Sequence, residues 1–166
     1  MKNAIAPARS QVTVATETWI AVALLHREHP ERGEFTVLEI VDRVKAERIT
    51  GSLRPGVKTH AAFHMVANRS AKPAKLRMLY EPRRGLRRLF REGDEANPER
   101  TGRSVPKAEA VPSKYRYLLD WYRSVYNAPV HEPWLQGVQA LIGAGREIFA
   151  GVDADQFVRQ LREGWN

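Results

Sequence analysis

Proline and glycine cut this chain into short pieces, and no fold that needs long helices or long strands can be drawn through it. His29-Pro30 stops one apolar stretch, residues 50–56 (TGSLRPG) interrupt the next, residues 82–85 break a third, and residues 127–133 (NAPVHEP) precede a fourth. A residue before proline is pushed out of the helical region, and Gly/Pro clusters favour turns. The intervals leave room for helices of three or four turns and for brief strands.

The residues before Thr16 are small and polar without a period, so 1–15 reads as a flexible arm. Thr16 is placed to cap a first helix, with Glu17 near the positive end of its dipole and Trp19, Ile20, Ala23, Leu24 and Leu25 at helical spacing. Thr36-Val37-Leu38-Glu39 has the form of a capping box, from which a second helix runs to about Arg48. Phe35, just ahead of it, either staples onto Ile40 or pairs as a very short strand. The pattern predicts a third helix over residues 57–68, with Ala62, Phe63 and Val66 on its apolar side. Its other side carries His60, His64 and Asn68 at four-residue spacing, with Lys58 and Arg69 at the ends. KLRMLYEPRRGLRRLFREG then reads as a two-stranded hairpin turning at 82–85. The expected class is mainly α with a small antiparallel β-hairpin.

Residues 92–112 contain Pro98, Pro106 and Pro112 with many charges and few large apolar side chains, the composition of a linker or a strap laid over the surface. Ser113 can cap a further helix over 113–127, whose broad apolar face (Leu118, Leu119, Trp121, Tyr122, Val125) offers a dimerisation element. Residues 134–166 read as a C-terminal helical extension, with an amphipathic helix after Asp153.

Charge sharpens this division. Of 166 residues, 27 are Lys/Arg and 19 Asp/Glu, a net charge of +8. Residues 51–91 hold eleven basic residues and one acid, Glu81, while 1–50 and 92–126 are each balanced. A positive excess confined to about forty residues is an electrostatic footprint for a polyanion. The hairpin arginines Arg83, Arg84, Arg87 and Arg88 suit phosphates, and Lys58, Thr59, His60, His64, Asn68 and Arg69 carry groups able to meet a duplex, Asn most naturally at adenine. The competing readings are a solvated hairpin for the arginines and packing or capping roles for the histidines.

Other chemistry has less to stand on. The chain has no cysteine, which removes disulfides, thiolate metal sites and cysteine nucleophiles and fits a reducing cytoplasm. Its longest apolar run, WIAVALL at 19–25, is far short of the ~20 residues needed to span a bilayer. His60-x-x-x-His64 has the spacing of two metal ligands on a helix, yet a zinc site needs three or four and no nearby carboxylate supplies them. No nucleophile–base grouping or phosphate loop stands out, so neither an enzyme nor a cofactor is expected.

Three helices followed by a basic hairpin resemble the winged helix-turn-helix superfamily over residues 16–91. The resemblance implies that the third helix lies in the major groove and that the turn at 82–85 is the wing. The end of the chain, LIGAGREIFAGVDADQFVRQLREGWN (141–166), resembles the toxin-binding tail of VapB-type antitoxins, which pair with PIN-domain ribonucleases. That resemblance implies Phe149, Phe157, Leu161 and Trp165 as apolar anchors and Arg146, Arg159 and Arg162 as side chains reaching toward the toxin's acidic site. Together they imply a dimeric, cytoplasmic, DNA-binding transcriptional repressor that is the antitoxin of a toxin–antitoxin pair. The alternative is a winged-helix module that holds protein or RNA in a larger complex. The tail itself has two further readings, packing onto the winged domain or forming a dimer.

Overall fold

Helix α1 (Val14–Glu28) is the element on which the others assemble. In the computed structural model, which describes residues 12–71 and 74–128, every side chain from Ala15 to His26 is buried. A helix covered on all sides has no polar face to show, and WIAVALL supplies none. Its N-cap is Thr13 and not Thr16: the Thr13 hydroxyl accepts the Thr16 N–H at 3.1 Å, while Thr16 itself is turned into the interior. Glu17 does more than complement the dipole. It is only 1% exposed and receives Arg54 Nη2 at 2.5 Å and the Thr50 hydroxyl at 3.0 Å, tying α1 to the turn at 50–56.

After His29-Pro30 the chain forms β1 (Phe35–Thr36) and passes directly into α2 (Val37–Glu47). The capping box is complete: Glu39 Oε2 accepts the Thr36 N–H at 2.8 Å, and the Thr36 hydroxyl accepts the Glu39 N–H at 3.2 Å. Ile40 and Val44 turn inward, and Arg48 ends the helix at φ 52°, its N–H donating to Val44 O. Arg43 joins α2 back to α1 by bonding both Glu28 and Glu47. Glu47 also accepts from Tyr115 and Lys114; against the burial that would raise it, these bonds and Arg43 hold its carboxyl at about 2.

The third helical segment differs from the sequence expectation in length and in face. Helix α3 (Gly56–Thr59) continues as a single π-helical turn, His60–His64, and stops at Met65, short of Asn68. Its inward side is Val57, Ala61 and Met65, while Phe63 is 52% exposed. The Met65 N–H reaches back five residues to His60 O, the wider pitch of a π turn. Residues four apart share a side of a helix, so 57, 61 and 65 form the inner row and Phe63, two residues from Ala61, faces outward.

Strands β2 (Leu79–Tyr80) and β3 (Leu86–Leu89) form the hairpin, and β1 pairs with β3 on its other side. The described residues are therefore mainly helical with a small antiparallel sheet of three strands, in the order β1-β3-β2. Phe35 faces Arg87 across one ladder and Tyr80 faces Arg88 across the other. Met78 and Leu79 are neighbours and both fully buried, and their N–H groups both donate to Met65 O at the exit of the third helical segment.

Residues 92–112 wrap the same unit, and 113–126 close it. Helix α4 (Tyr117–Trp121), extended by a π turn over Tyr122–Tyr126, sends Leu118, Leu119 and Tyr122 into the core beside Tyr115 and Val111. The Tyr122 and Trp19 rings meet edge to face at 5.8 Å, and the Tyr122 hydroxyl donates to Phe90 O at 2.5 Å. The face read as a dimerisation element is thus spent largely inside, with Tyr117 and Val125 left exposed. All described residues belong to one compact unit ending at Ala128. None of their helices is long and apolar enough to cross a membrane.

Candidate nucleic-acid interface

The outward face of the third helical segment is Lys58, Thr59 and Phe63, all exposed, with Ala62 half-buried between them. Steps of one and four residues put these four on one stripe. His60 and His64 flank the stripe and do not lead it. Both are half-buried, His60 Nδ1 lies 2.9 Å from Gly56 O, and the two rings meet edge to face at 4.9 Å. Burial, then His60 and Arg100, lower the His64 pKa, so its ring is neutral near pH 7. No group of three or more metal-ligating side chains occurs among the described residues.

The inner end of this segment is held by two buried guanidinium groups. A helix leaves its last carbonyls short of partners, here those of Ala61, Ala62, Phe63 and His64. Arg87, 2% exposed, donates to Ala61 O and Ala62 O at 3.0 Å each. Arg100, also 2% exposed, donates to Phe63 O at 2.7 Å and His64 O at 2.6 Å. Its other three N–H groups reach Arg69 O, Ser70 O and Leu76 O at 3.0, 2.6 and 2.8 Å. All five donors of the guanidinium are therefore used. Positive charge at a helix C-terminus is also where the dipole favours it. Arg87 was expected at the phosphate backbone; the structure corrects this and makes it a cap, buried because β3 alternates and Arg87 falls on the inward side with Leu89.

Glu81 is the counterweight. Its carboxylate accepts two bonds from Arg69 (2.6 and 2.8 Å), one from Arg87 (2.8 Å) and the Gly85 N–H (3.0 Å). Arg69 foremost, then Gly85 and Arg87, hold its carboxyl at about 2. Asn68 clasps the Glu81 backbone from both sides, donating to its O at 2.9 Å and accepting its N–H at 3.1 Å. The amide expected at a base edge is therefore engaged within the protein, as is the Arg69 guanidinium. Gly85, at φ 84°, lets the turn close so that its N–H meets Glu81.

The remaining hairpin arginines part company in the same way. Arg88, half-buried, forms a paired contact with Asp94 at 2.6 and 2.7 Å and stacks on Tyr80 at 4.5 Å. Arg83 is 73% exposed and ion-paired with Glu34. Arg84 is exposed. Within 51–91, Lys58, Lys75, Arg77, Arg84 and Arg91 are exposed and have no ion pair among the described residues, though Arg77 and Arg91 lie over the Phe90 and Tyr126 rings.

So the structure brings Lys58, Thr59 and the turn with Arg83 and Arg84 to the surface and engages Arg87, Arg88, Arg69 and the still-exposed Asn68 in intramolecular bonding. Sequence reasoning missed Arg100, for which an isolated arginine in a polar stretch gives no signal. It also missed Glu81, which did leave one, as the lone acid in a basic block. The expected partner-binding residues Arg146, Phe149, Phe157, Arg159, Leu161, Arg162 and Trp165 lie outside the described residues, as do residues 1–11 of the arm. No protein-family model, no curated protein and no solved structure matches the chain.

Proposed function

We propose that this protein is a winged-helix DNA-binding transcriptional repressor that sets the Lys58–Phe63 stripe into the major groove and the Arg83–Arg84 turn against the backbone. The observation that carries this reading is the exposed stripe itself: cation, hydroxyl, methyl and aromatic groups on a helical face fixed from behind by Arg87 and Arg100. The element order α1-β1-α2-α3-β2-β3, with β1 on the far side of β3, supports the winged-helix description. The tail's likeness to VapB-type antitoxins extends the proposal to a repressor that also neutralises a PIN-type ribonuclease and acts as a homodimer.

Duplex binding measured across salt tests the first part. The expected result is a linear fall of log K with log salt, with the slope reduced by about one unit for each of Lys58→Ala and Arg84→Ala. Arg87→Lys should not act as a phosphate contact. No duplex binding at low salt refutes the reading. Rescue from a co-expressed ribonuclease that survives deletion of residues 151–166 refutes the antitoxin role.

One observation favours the second reading, a module that holds protein or RNA. Of the ten basic residues described in 51–91, five have acidic partners, which leaves less free charge than the sequence total suggests. Tighter binding to single-stranded RNA than to any duplex would decide for it.

A further inference from the structure

Phe63 stands half in water on a segment whose other large apolar residues are buried, and the protein holds it there. The Arg69 guanidinium lies over its ring at 5.2 Å and is itself fixed by two bonds to Glu81. Glu81 in turn is fastened to the hairpin turn through Gly85 and Arg87. An exposed aromatic that is free to move loses rotamer entropy when it binds; this one is anchored before any partner arrives. Beside it an open pocket of roughly 390 Å³ is lined by Phe63, His64, Arg69 and Ser70. Lys58 and Thr59 lie on the same stripe and Arg84 on the turn that Glu81 anchors, so the surroundings suit an anionic partner with an apolar feature at its centre.

We infer that Phe63 is a specificity residue that reads the C5-methyl group of thymine in the major groove. This rests on the duplex-binding reading above. The major groove displays donors and acceptors from every base pair, and its apolar feature is the thymine methyl. Ala62, next to Phe63 on the stripe, is small enough to let the helix approach closely, and Lys58 on the same stripe has the charge to reach a phosphate. The preference is therefore for a thymine at one position of each half-site, with the ring covering the methyl and the Arg69–Glu81 pair holding the ring's far face.

The test uses the full-length protein and a duplex selected from a random pool. Thymines are replaced one at a time by deoxyuridine, which removes the methyl and leaves hydrogen bonding intact. The expected result is one position per half-site at which the wild type loses about fourfold in affinity, the value of one buried methyl group. Phe63→Ala should bind the two duplexes equally, and Phe63→Leu should keep part of the difference. Phe63 is half-exposed and its main contact is the Arg69 guanidinium, so both variants should fold and lower the melting temperature only slightly. Equal binding of thymine and deoxyuridine duplexes by the wild type overturns the inference while leaving the repressor reading intact. A discrimination that survives in Phe63→Ala overturns it too. Failure of the wild type to select any duplex refutes the repressor reading, and the inference with it.

Discussion

The hairpin at 79–91 and the strap at 92–112 each contribute one buried arginine to the same helix end, and they differ in how that charge is tolerated. Arg87 brings a carboxylate with it, since Glu81 lies 2.8 Å away. Arg100 has no acidic partner and is surrounded by five carbonyl oxygens. Burial lowers the pKa of both guanidinium groups; Glu81 opposes the effect at Arg87, and nothing opposes it at Arg100. A buried charge needs either a counter-charge or a full set of oriented dipoles. The two regions show one of each. The arginine-rich hairpin and the unremarkable strap therefore do the same structural work, although only the first stood out in the sequence.

The largest effect is expected at Arg100. Arg100→Ala takes a donor from five part-buried carbonyls, of which Phe63 O keeps the Val66 N–H, and loosens the strap from residues 63–76, with an expected loss of about 3 kcal/mol. Arg100→Lys should recover little, because an ammonium has three donors for five acceptors. Chemical denaturation checks the magnitude, and amide exchange checks the place: protection should fall at Leu79, Met78 and Ala67 first, whose N–H groups bond across this junction. If Arg100→Ala melts like the wild type, the dipole cage contributes nothing and the strap is held by its backbone bonds to Ala67, Lys75 and Arg77 and by its apolar residues.

Glu81→Gln comes next, at about 2–3 kcal/mol, because it leaves Arg87 buried and Arg69 unpaired with a weaker acceptor. The carboxylate is 13% exposed, so solvent screens only part of this. Combining it with Arg69→Gln should cost less than the two changes added, as they remove one network. Additive losses would mean that Glu81 serves Arg87 alone.

These residues also mark where the sequence was legible and where it was not. Helix α2 was readable in its start and length, because a capping box is local: Thr36 and Glu39 satisfy donors within three residues. Phe35 was left open between staple and strand, and the ladder to Arg87 fifty-two residues on decided it. The hairpin turn was readable because Gly85 has to adopt φ 84°. The inward face of the third helix was not, because the sequence offers two apolar rows at helical spacing, Val57-Ala61-Met65 and Ala62-Phe63-Val66, and tertiary packing chooses the first. The roles of Arg87 and Arg100 depend on carbonyls 25 and 37 residues away, and no window of sequence contains both ends. Net charge by segment located the basic block correctly but could not tell a free arginine from a cap.

A smaller effect separates the histidine at the other end of the hairpin from its carboxylates. His26 is buried between Phe35 and Tyr126, where its Nε2 faces the Leu89 N–H at 3.4 Å. Burial first, and the charges of Arg91 and Arg88 after it, lower its pKa from 6.5 to about 4. The unfolded chain then binds a proton that the folded one refuses, so stability is full above pH 6.5 and falls as pH drops toward 4. Between pH 7.5 and 5 the expected loss is about 2 kcal/mol, and His64 adds to it with the same sign. Glu39, Glu47 and Glu81, each held at about 2, act later: their contribution is complete above about 4.5 and is lost as pH falls toward 2. Denaturation midpoints across pH should therefore fall in two stages. His26→Gln should flatten the upper stage and leave the lower one unchanged.

The smallest effect on stability, and the sharpest on the contrast between buried and exposed arginines, belongs to Arg83. At 73% exposure its pairing with Glu34 is an ordinary surface ion pair, so Arg83→Ala should change stability by no more than about 0.5 kcal/mol. Its consequence is for binding. Glu34 places a negative charge beside the turn and competes with phosphate for the guanidinium, whereas Arg84 has no such competitor. Glu34→Gln should therefore steepen the salt dependence of duplex binding and raise affinity at low salt, and the gain should vanish in the Glu34→Gln, Arg83→Ala double variant. An unchanged slope in Glu34→Gln would place Arg83 with Arg87 and Arg88 among the arginines that serve the fold, and would leave Arg84 alone on the turn to meet the backbone.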